Sequence, residues 1–131
     1  MKTIEEKRLF SVPPEMVWNI ISDLSRSDWV RGVESITLED NIRTFKMKGM
    51  GRLVEKILKC DHDLLELEYS AIETIAPINH HLAKIKLVSN KNQSTEFIWT
   101  TEIDPEEFAD AIQQGMISSL DQLELVLSET I

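Results

Sequence analysis

The sequence predicts an α+β domain: a curved, seven-stranded antiparallel sheet wrapped on a long C-terminal helix, with two short helices after the first strand. Three observations predict it. The hydrophobic period is helical in the segment after Pro13-Pro14, shifts toward two between Val33 and Asp104, and becomes helical again to the end of the chain. The segments between the central strands are shorter than the dozen or so residues that a parallel crossover needs, so neighbours must run antiparallel. No repeat, Ser/Gly-rich linker or long charge run marks a second domain within the 131 residues.

Residues 2–11 predict the first strand, in which Ile4, Leu9, Phe10 and the following Val12 are apolar and Glu5, Glu6, Lys7 and Arg8 must sit largely in solvent. Pro13-Pro14 presets a first helical turn, and Val17, Ile20, Ile21 and Leu24 recur at i, i+3, i+4 and i+7. That spacing predicts an amphipathic helix. Ser25-Arg26-Ser27-Asp28 interrupts it, with Ser and Asp placed to cap a second short helix that carries Trp29 and Val30 as far as Gly32. Strands are then expected over 33–39, 42–48, 53–61, 65–73, 82–89 and 95–103, joined by turn-prone segments such as Asp40-Asn41, Gly49-Met50-Gly51 and Asp61-His62-Asp63. Asp104 is a suitable N-cap for the closing helix, Pro105 suits its first position and Glu107 completes a pattern like a capping box. Phe108, Ile112, Met116, Leu120, Leu123 and Leu127 draw one apolar stripe along it. Gly115 interrupts that helix at a cost of about 1 kcal/mol relative to Ala, which either a close approach to the sheet or room for a ligand would explain.

Composition narrows the function. A chain that is 42% hydrophobic and 28% charged, with 4 Gly and 4 Pro, is neither disordered nor fibrous. The single cysteine, Cys60, forms no internal disulfide, which points to a reducing cytoplasm. With 23 acidic and 14 basic residues the net charge is −9, so a nucleic acid would be repelled. Acidic Glu5-Glu6 stands where a signal peptide needs an apolar stretch, and no apolar run reaches the ~18 residues of a membrane span. A soluble cytoplasmic protein, monomer or homodimer, is expected. Cys60 and His62 find no third ligand at a recognised spacing, so neither a metal nor a cofactor is expected.

Alternation sorts the strand side chains into a wet face and an apolar face. Leu65, Leu67, Tyr69 and Ala71 oppose Glu66, Glu68 and Ser70, and Phe45 and Met47 oppose Thr44, Lys46 and Lys48. By the same parity Ile85, Leu87, Phe97 and Trp99 face inward, with Met116, Leu120 and Leu123 opposite them on the helix. In the fourth strand Leu53, Glu55 and Ile57 compete with Val54, Leu58 and Cys60 for the inner face, since a one-residue slip inverts the assignment.

This order of elements resembles the helix-grip fold of the SRPBCC superfamily, which includes START lipid-transfer domains, the birch pollen allergen type and the polyketide cyclase/dehydrase family. The segments that carry the resemblance are Val12 to Trp18 through Leu24, Trp29 to Val33, Gly49-Met50-Gly51-Arg52 leading to Glu55, Asp61 to Tyr69, Thr95 to Thr101, and the closing helix. Within it the chain looks most like small bacterial proteins grouped with polyketide cyclases. The resemblance implies an elongated apolar cavity between sheet and helix that takes a small hydrophobic molecule such as a lipid, a sterol-like compound or an aromatic polyketide.

Glu55 is the sharpest candidate, because the resemblance carries over a strand glutamate that faces the pocket. Among Phe45, Met47 and Ile57 such a carboxylate would be partly desolvated, its pKa raised, and able to act as a catalytic general acid or base. The alternative is an outward Glu55 paired with Lys46, Lys56 or Lys84. Tyr69 offers a hydroxyl in an apolar row, and His80-His81, in the loop after Pro77, are placed to gate the mouth. Trp29 and Trp99 either stack on a ligand or fill the core. The expected ligand set is therefore Trp29, Phe45, Met47, Glu55, Ile57 and Leu67, with Tyr69, His80, His81, Ile85, Leu87, Phe97, Trp99, Met116 and Leu120. The leading expectation is binding or transport; a cyclase or aromatase working through Glu55 is the enzyme alternative, and a protein-interaction module the third.

Overall fold

Hairpin turns place each central strand antiparallel beside its predecessor, and the apolar face they share needs a cover, which only the closing helix is long enough to provide. A computed structural model describes residues 1–130. The strands are β1 (Lys2–Phe10), β2 (Val33–Glu39), β3 (Ile42–Met47), β4 (Gly51–Asp61), β5 (Glu66–Thr74), β6 (His80–Asn90) and β7 (Ser94–Asp104). The helices are α1 (Pro14–Ile21), between β1 and β2, and the long α2 (Ala109–Thr130). One seven-stranded sheet has the order β1-β7-β6-β5-β4-β3-β2, and every paired neighbour is antiparallel. This is the expected helix-grip arrangement. Among the described residues no helix is long and apolar enough to cross a membrane.

Two irregularities bend the sheet. In the β4–β5 ladder Glu55 pairs with Ala71 while Val54 pairs with Glu73, and Ile57 pairs with Tyr69 while Lys59 pairs with Glu68. The skipped residues, Ile72 and Leu58, are pushed outward and are 55% and 49% exposed. Bulges of this kind sharpen local twist and curve the strand. They also settle the parity of β4: Leu53 and Ile57 are buried, Glu55 lies between them in sequence and faces the interior, and Leu58 faces solvent.

The main core gathers Val17 and Ile21 of α1, Leu67, Ile85, Phe97 and Ile103 of the sheet, and Leu120 and Leu123 of α2, all nearly inaccessible. Phe10, Phe97, Trp99 and Trp29 form a chain of ring contacts with centroids 5.9–6.0 Å apart. Trp18 Nε1 donates to His62 Nδ1 at 3.0 Å, tying α1 to the turn after β4. A second, smaller cluster of Val33, Phe45 and Leu53 stands apart, with Val30, Ile36 and Met47 against it.

Two expected helix starts are absent. Residues 25–32 form turns rather than a second short helix. The polar groups expected to cap it serve the loop instead: Ser27 Oγ donates to the Glu34 carbonyl at 2.9 Å, and Asp28 accepts from Arg26 Nε at 2.7 Å. Asp104 does not cap the closing helix either. β7 runs on to include it, because Thr101 and Ile103 are buried in the ladder, and its carbonyl accepts the Asn79 N–H at 2.8 Å. A 3-10 turn over Glu106–Phe108 intervenes before α2 begins at Ala109.

Candidate functional site

Where the sheet curves away from the N-terminal half of α2, a cavity of about 200 Å³ remains. Ile112, Gly115, Met116 and Ser119 of α2 roof it, and Phe45, Met47, Leu53, Glu55, Tyr69, His81 and Trp99 rise from the strands. The segment Trp29–Arg31 and the β5–β6 connection, through Ala76 and Ile78, close its ends. A wider trough of about 750 Å³ lies on the solvent side along β2 and β3, lined by Ser35, Thr37, Thr44, Lys46 and Lys48 among others. Those side chains are largely hydrated, whereas the smaller cavity concentrates the buried polar groups.

At its centre is an ion pair. Arg43 and Glu55 are cross-strand partners on β3 and β4, and Arg43 Nε donates to Glu55 Oε1 at 2.7 Å. Both side chains are close to nine-tenths buried, and the Arg43 guanidinium carbon sits 4.7 Å from the Tyr69 ring centroid. Burial pushes the Glu55 carboxyl above its ordinary range, and the charge and hydrogen bond of Arg43 pull part of that shift back. Burial, reinforced by the negative Glu55, raises the Tyr69 phenol far above its ordinary value, so it remains protonated. His81 moves the other way: burial, helped by neighbouring His80, lowers its imidazole to about 4. Its Nδ1 accepts the Ala71 backbone N–H at 2.9 Å. The Trp99 indole N–H is buried and has no hydrogen-bond partner among the described residues.

Of the residues expected from the sequence, Trp29, Phe45, Met47, Glu55, Tyr69, His81, Trp99 and Met116 meet at this cavity. Ile57, Leu67, Ile85, Leu87, Phe97 and Leu120 do not. Parity placed them on the correct face, but they pack against one another in the main core, where sheet and helices meet without a gap. His80 and His81 belong to β6 rather than to a gating loop, and alternation sends them to opposite faces. His80 is exposed, with Nε2 3.0 Å from Glu102 Oε1. Glu55 makes its close ion pair with Arg43, not with the lysines of the wet face. Cys60 and His62 join no metal-binding group: no cluster of three or more His, Cys, Asp or Glu occurs among the described residues.

Sequence reasoning passed over Arg43, although the signal was present. It has the parity of Phe45 and Met47, and a charged residue at an inward position implies an inward partner. The contributions of Ile36, Ala76, Ile78 and Ser119 depend on how loops fold over the site and carry no periodic signal.

This geometry finds its match among known proteins. The chain belongs to the polyketide cyclase / dehydrase and lipid transport family, whose model matches residues 1–127. Among solved structures it is similar to the protein XoxI from Bacillus cereus, 17% identical with a TM-score of 0.89, covering 99% of this chain and 98% of that one. An uncharacterized protein from Bacillus thuringiensis is 15% identical with a TM-score of 0.86, over 96% and 98% of the two chains. A protein from Thermobifida fusca is 23% identical with a TM-score of 0.82, over 98% and 95%. At these identities the likeness is one of fold. No curated protein matches the sequence.

Proposed function

We propose that the protein binds a small, mostly apolar molecule in the cavity under α2, for transport or sequestration. The observation that carries this reading is the cavity itself: a hollow lined largely by carbon, with a buried Arg43–Glu55 pair in its wall. Ligand sites are typically apolar concavities with a few placed polar groups, which is this combination. The family description, joining polyketide cyclases and dehydrases with lipid transport, supports it. Size restricts the ligand. At about 200 Å³ the cavity exceeds the ~150 Å³ hole that takes up benzene but falls short of the ~300 Å³ at the lower end of drug-sized pockets. One or two rings, or a short acyl chain, fit; a folded poly-β-ketone or a sterol does not without opening. In this reading the protein works in the cytoplasm, as a monomer or homodimer, without nucleic acid.

One observation favours a second reading, an enzyme of the cyclase or dehydratase type: the raised carboxyl of Glu55 suits a general base. Native mass spectrometry of the protein as purified, followed by thermal shift against fatty acids and small aromatic compounds, tests the binding reading. A carried-over mass or a concentration-dependent rise in Tm is expected. Unchanged melting across the panel together with a ligand-free spectrum overturns it. Glu55→Gln separates the two readings, since it leaves binding in place and abolishes turnover only if Glu55 moves protons.

A further inference from the structure

The β5–β6 ladder closes at Tyr69↔Ala83, yet both strands continue toward the cavity. Beyond that rung side chains make the connection: Ser70 Oγ donates to the His81 carbonyl, and the Ala71 N–H donates to His81 Nδ1. A backbone N–H only donates, so Nδ1 must hold a lone pair. The neutral ring therefore carries its proton on Nε2, and an imidazolium would set two N–H groups against each other. This agrees with the depressed pKa of about 4. His81 Nε2–H is a fixed donor with no partner among the described residues.

Tyr69 stands next to it, with ring centroids 6.1 Å apart. Its hydroxyl likewise makes no hydrogen bond among the described residues. The Trp99 N–H lies near the phenolic oxygen without reaching hydrogen-bond geometry. A donor on that side turns the phenolic proton away from Trp99, and Tyr69 and His81 both belong to the cavity wall. Two neutral donors thus line one wall. Among the described residues the buried charges beside them are Arg43 and Glu55, paired with each other through Arg43 Nε. Arg31, the remaining cation at the wall, is solvent-exposed.

We infer that the bound molecule is an uncharged carbonyl compound, a ketone, ester or amide on a small apolar frame, whose oxygen accepts hydrogen bonds from His81 Nε2–H and the Tyr69 hydroxyl. The inference rests on the small-molecule reading above and narrows it. A carboxylate would have to shed its hydration and compete with Glu55 for the buried Arg43, and a hydrocarbon would leave both donors without an acceptor from the ligand.

Isosteric pairs test it on the unmodified protein: acetophenone against cumene, 1-tetralone against 1-methyltetralin, and benzoate as the charged control, each titrated into ¹⁵N-labelled protein. The ketones should bind about tenfold more tightly than their hydrocarbon partners, in keeping with hydrogen bonds from two donors on the cavity wall. They should also shift the His81 Nε2–H signal, and benzoate should bind more weakly than acetophenone. Tyr69→Phe should lower ketone affinity and narrow the gap between each ketone and its hydrocarbon partner. Equal affinity within each pair, or tighter binding of benzoate, overturns the carbonyl inference while the small-molecule reading stands. Binding by none of the five compounds, with no Tm rise against the fatty-acid panel, overturns both.

Discussion

The inner face of the sheet carries two apolar regions of opposite character. Around Phe97, Leu67, Ile85 and Leu123 the packing is complete, and these side chains are 0–1% exposed. Around Phe45 and Leu53 a smaller cluster stands off from α2, and the gap holds the Arg43–Glu55 pair. The same alternating strands feed both regions, so composition does not distinguish them. What differs is the geometry of the cover: a straight helix touches a curved sheet over part of its length only, and the bulges at Ile72 and Leu58 supply the curvature. One end is held by contact and the other by polar groups around a space.

The largest expected effect contrasts the two ends directly. Phe97→Ala should cost about 4 kcal/mol in urea denaturation, because a fully packed site cannot collapse around the hole. Met116→Ala, where one side of the residue already faces the cavity, should cost about 2 kcal/mol. Equal losses would mean that the hollow end is as tightly packed as the solid one.

Removing one member of the ion pair comes next. Arg43→Met leaves the Glu55 carboxylate buried without a partner and should cost about 3 kcal/mol at neutral pH. The sign with pH follows from linkage. A carboxyl whose folded pKa is raised binds protons more tightly in the folded state, so its burden is full above that pKa and relieved as the pH falls through it. The deficit of the variant should therefore shrink on acidification, and a double variant, Arg43→Met with Glu55→Leu, should recover most of the loss.

His81 gives the opposite slope. Its imidazole titrates at about 4 when folded against an ordinary 6.5, so the unfolded chain takes up the proton first, and stability falls as the pH drops through that window, by about 3 kcal/mol in all. Its neighbour along β6, His80, lies on the other face beside Glu102. In His81→Asn the difference from wild type between pH 6.5 and pH 4 should narrow, as read by urea denaturation. A wild-type histidine resonance titrating near 6.5 at His81 would break this account.

The smallest effect is a gain. A Cβ at Gly115 meets nothing within 4 Å, so close packing is not what keeps a glycine there. Gly115→Ala should raise stability by up to about 1 kcal/mol through helix propensity and reduce the space for ligand. If it destabilises, the roof of the cavity is tighter than its geometry states.

Much of this was legible in the residues. The switch from a period of 3.6 to two and back located every strand within a few residues, and parity found the inner face. Both errors of secondary structure came from reading polar residues as helix caps. Ser27, Asp28 and Asp104 have the side chains a cap needs, but each is engaged otherwise: Ser27 by the Glu34 carbonyl, Asp28 by Arg26 two residues before it, and Asp104 by Asn79, distant in sequence. The site was half legible for the same reason. Alternation tells which side chains face inward, yet whether an inward residue meets another side chain or empty space depends on where the helix lifts off the sheet. Hence Leu67 and Phe97 were expected at the ligand and lie in the core, and Arg43, inward by the same rule as Phe45, was overlooked.

The imidazole of His81 stands in for a peptide carbonyl as the acceptor that fastens Ala71 across the seam between β5 and β6. Amide carbonyls hold their grip across the whole physiological acidity range, whereas a ring nitrogen surrenders its lone pair to a single proton. Acid alone can thus unfasten this stitch while the regular rungs up to Tyr69↔Ala83 stay closed, so the chain carries at the brink of its hollow a clasp whose release needs no effector larger than a hydronium ion.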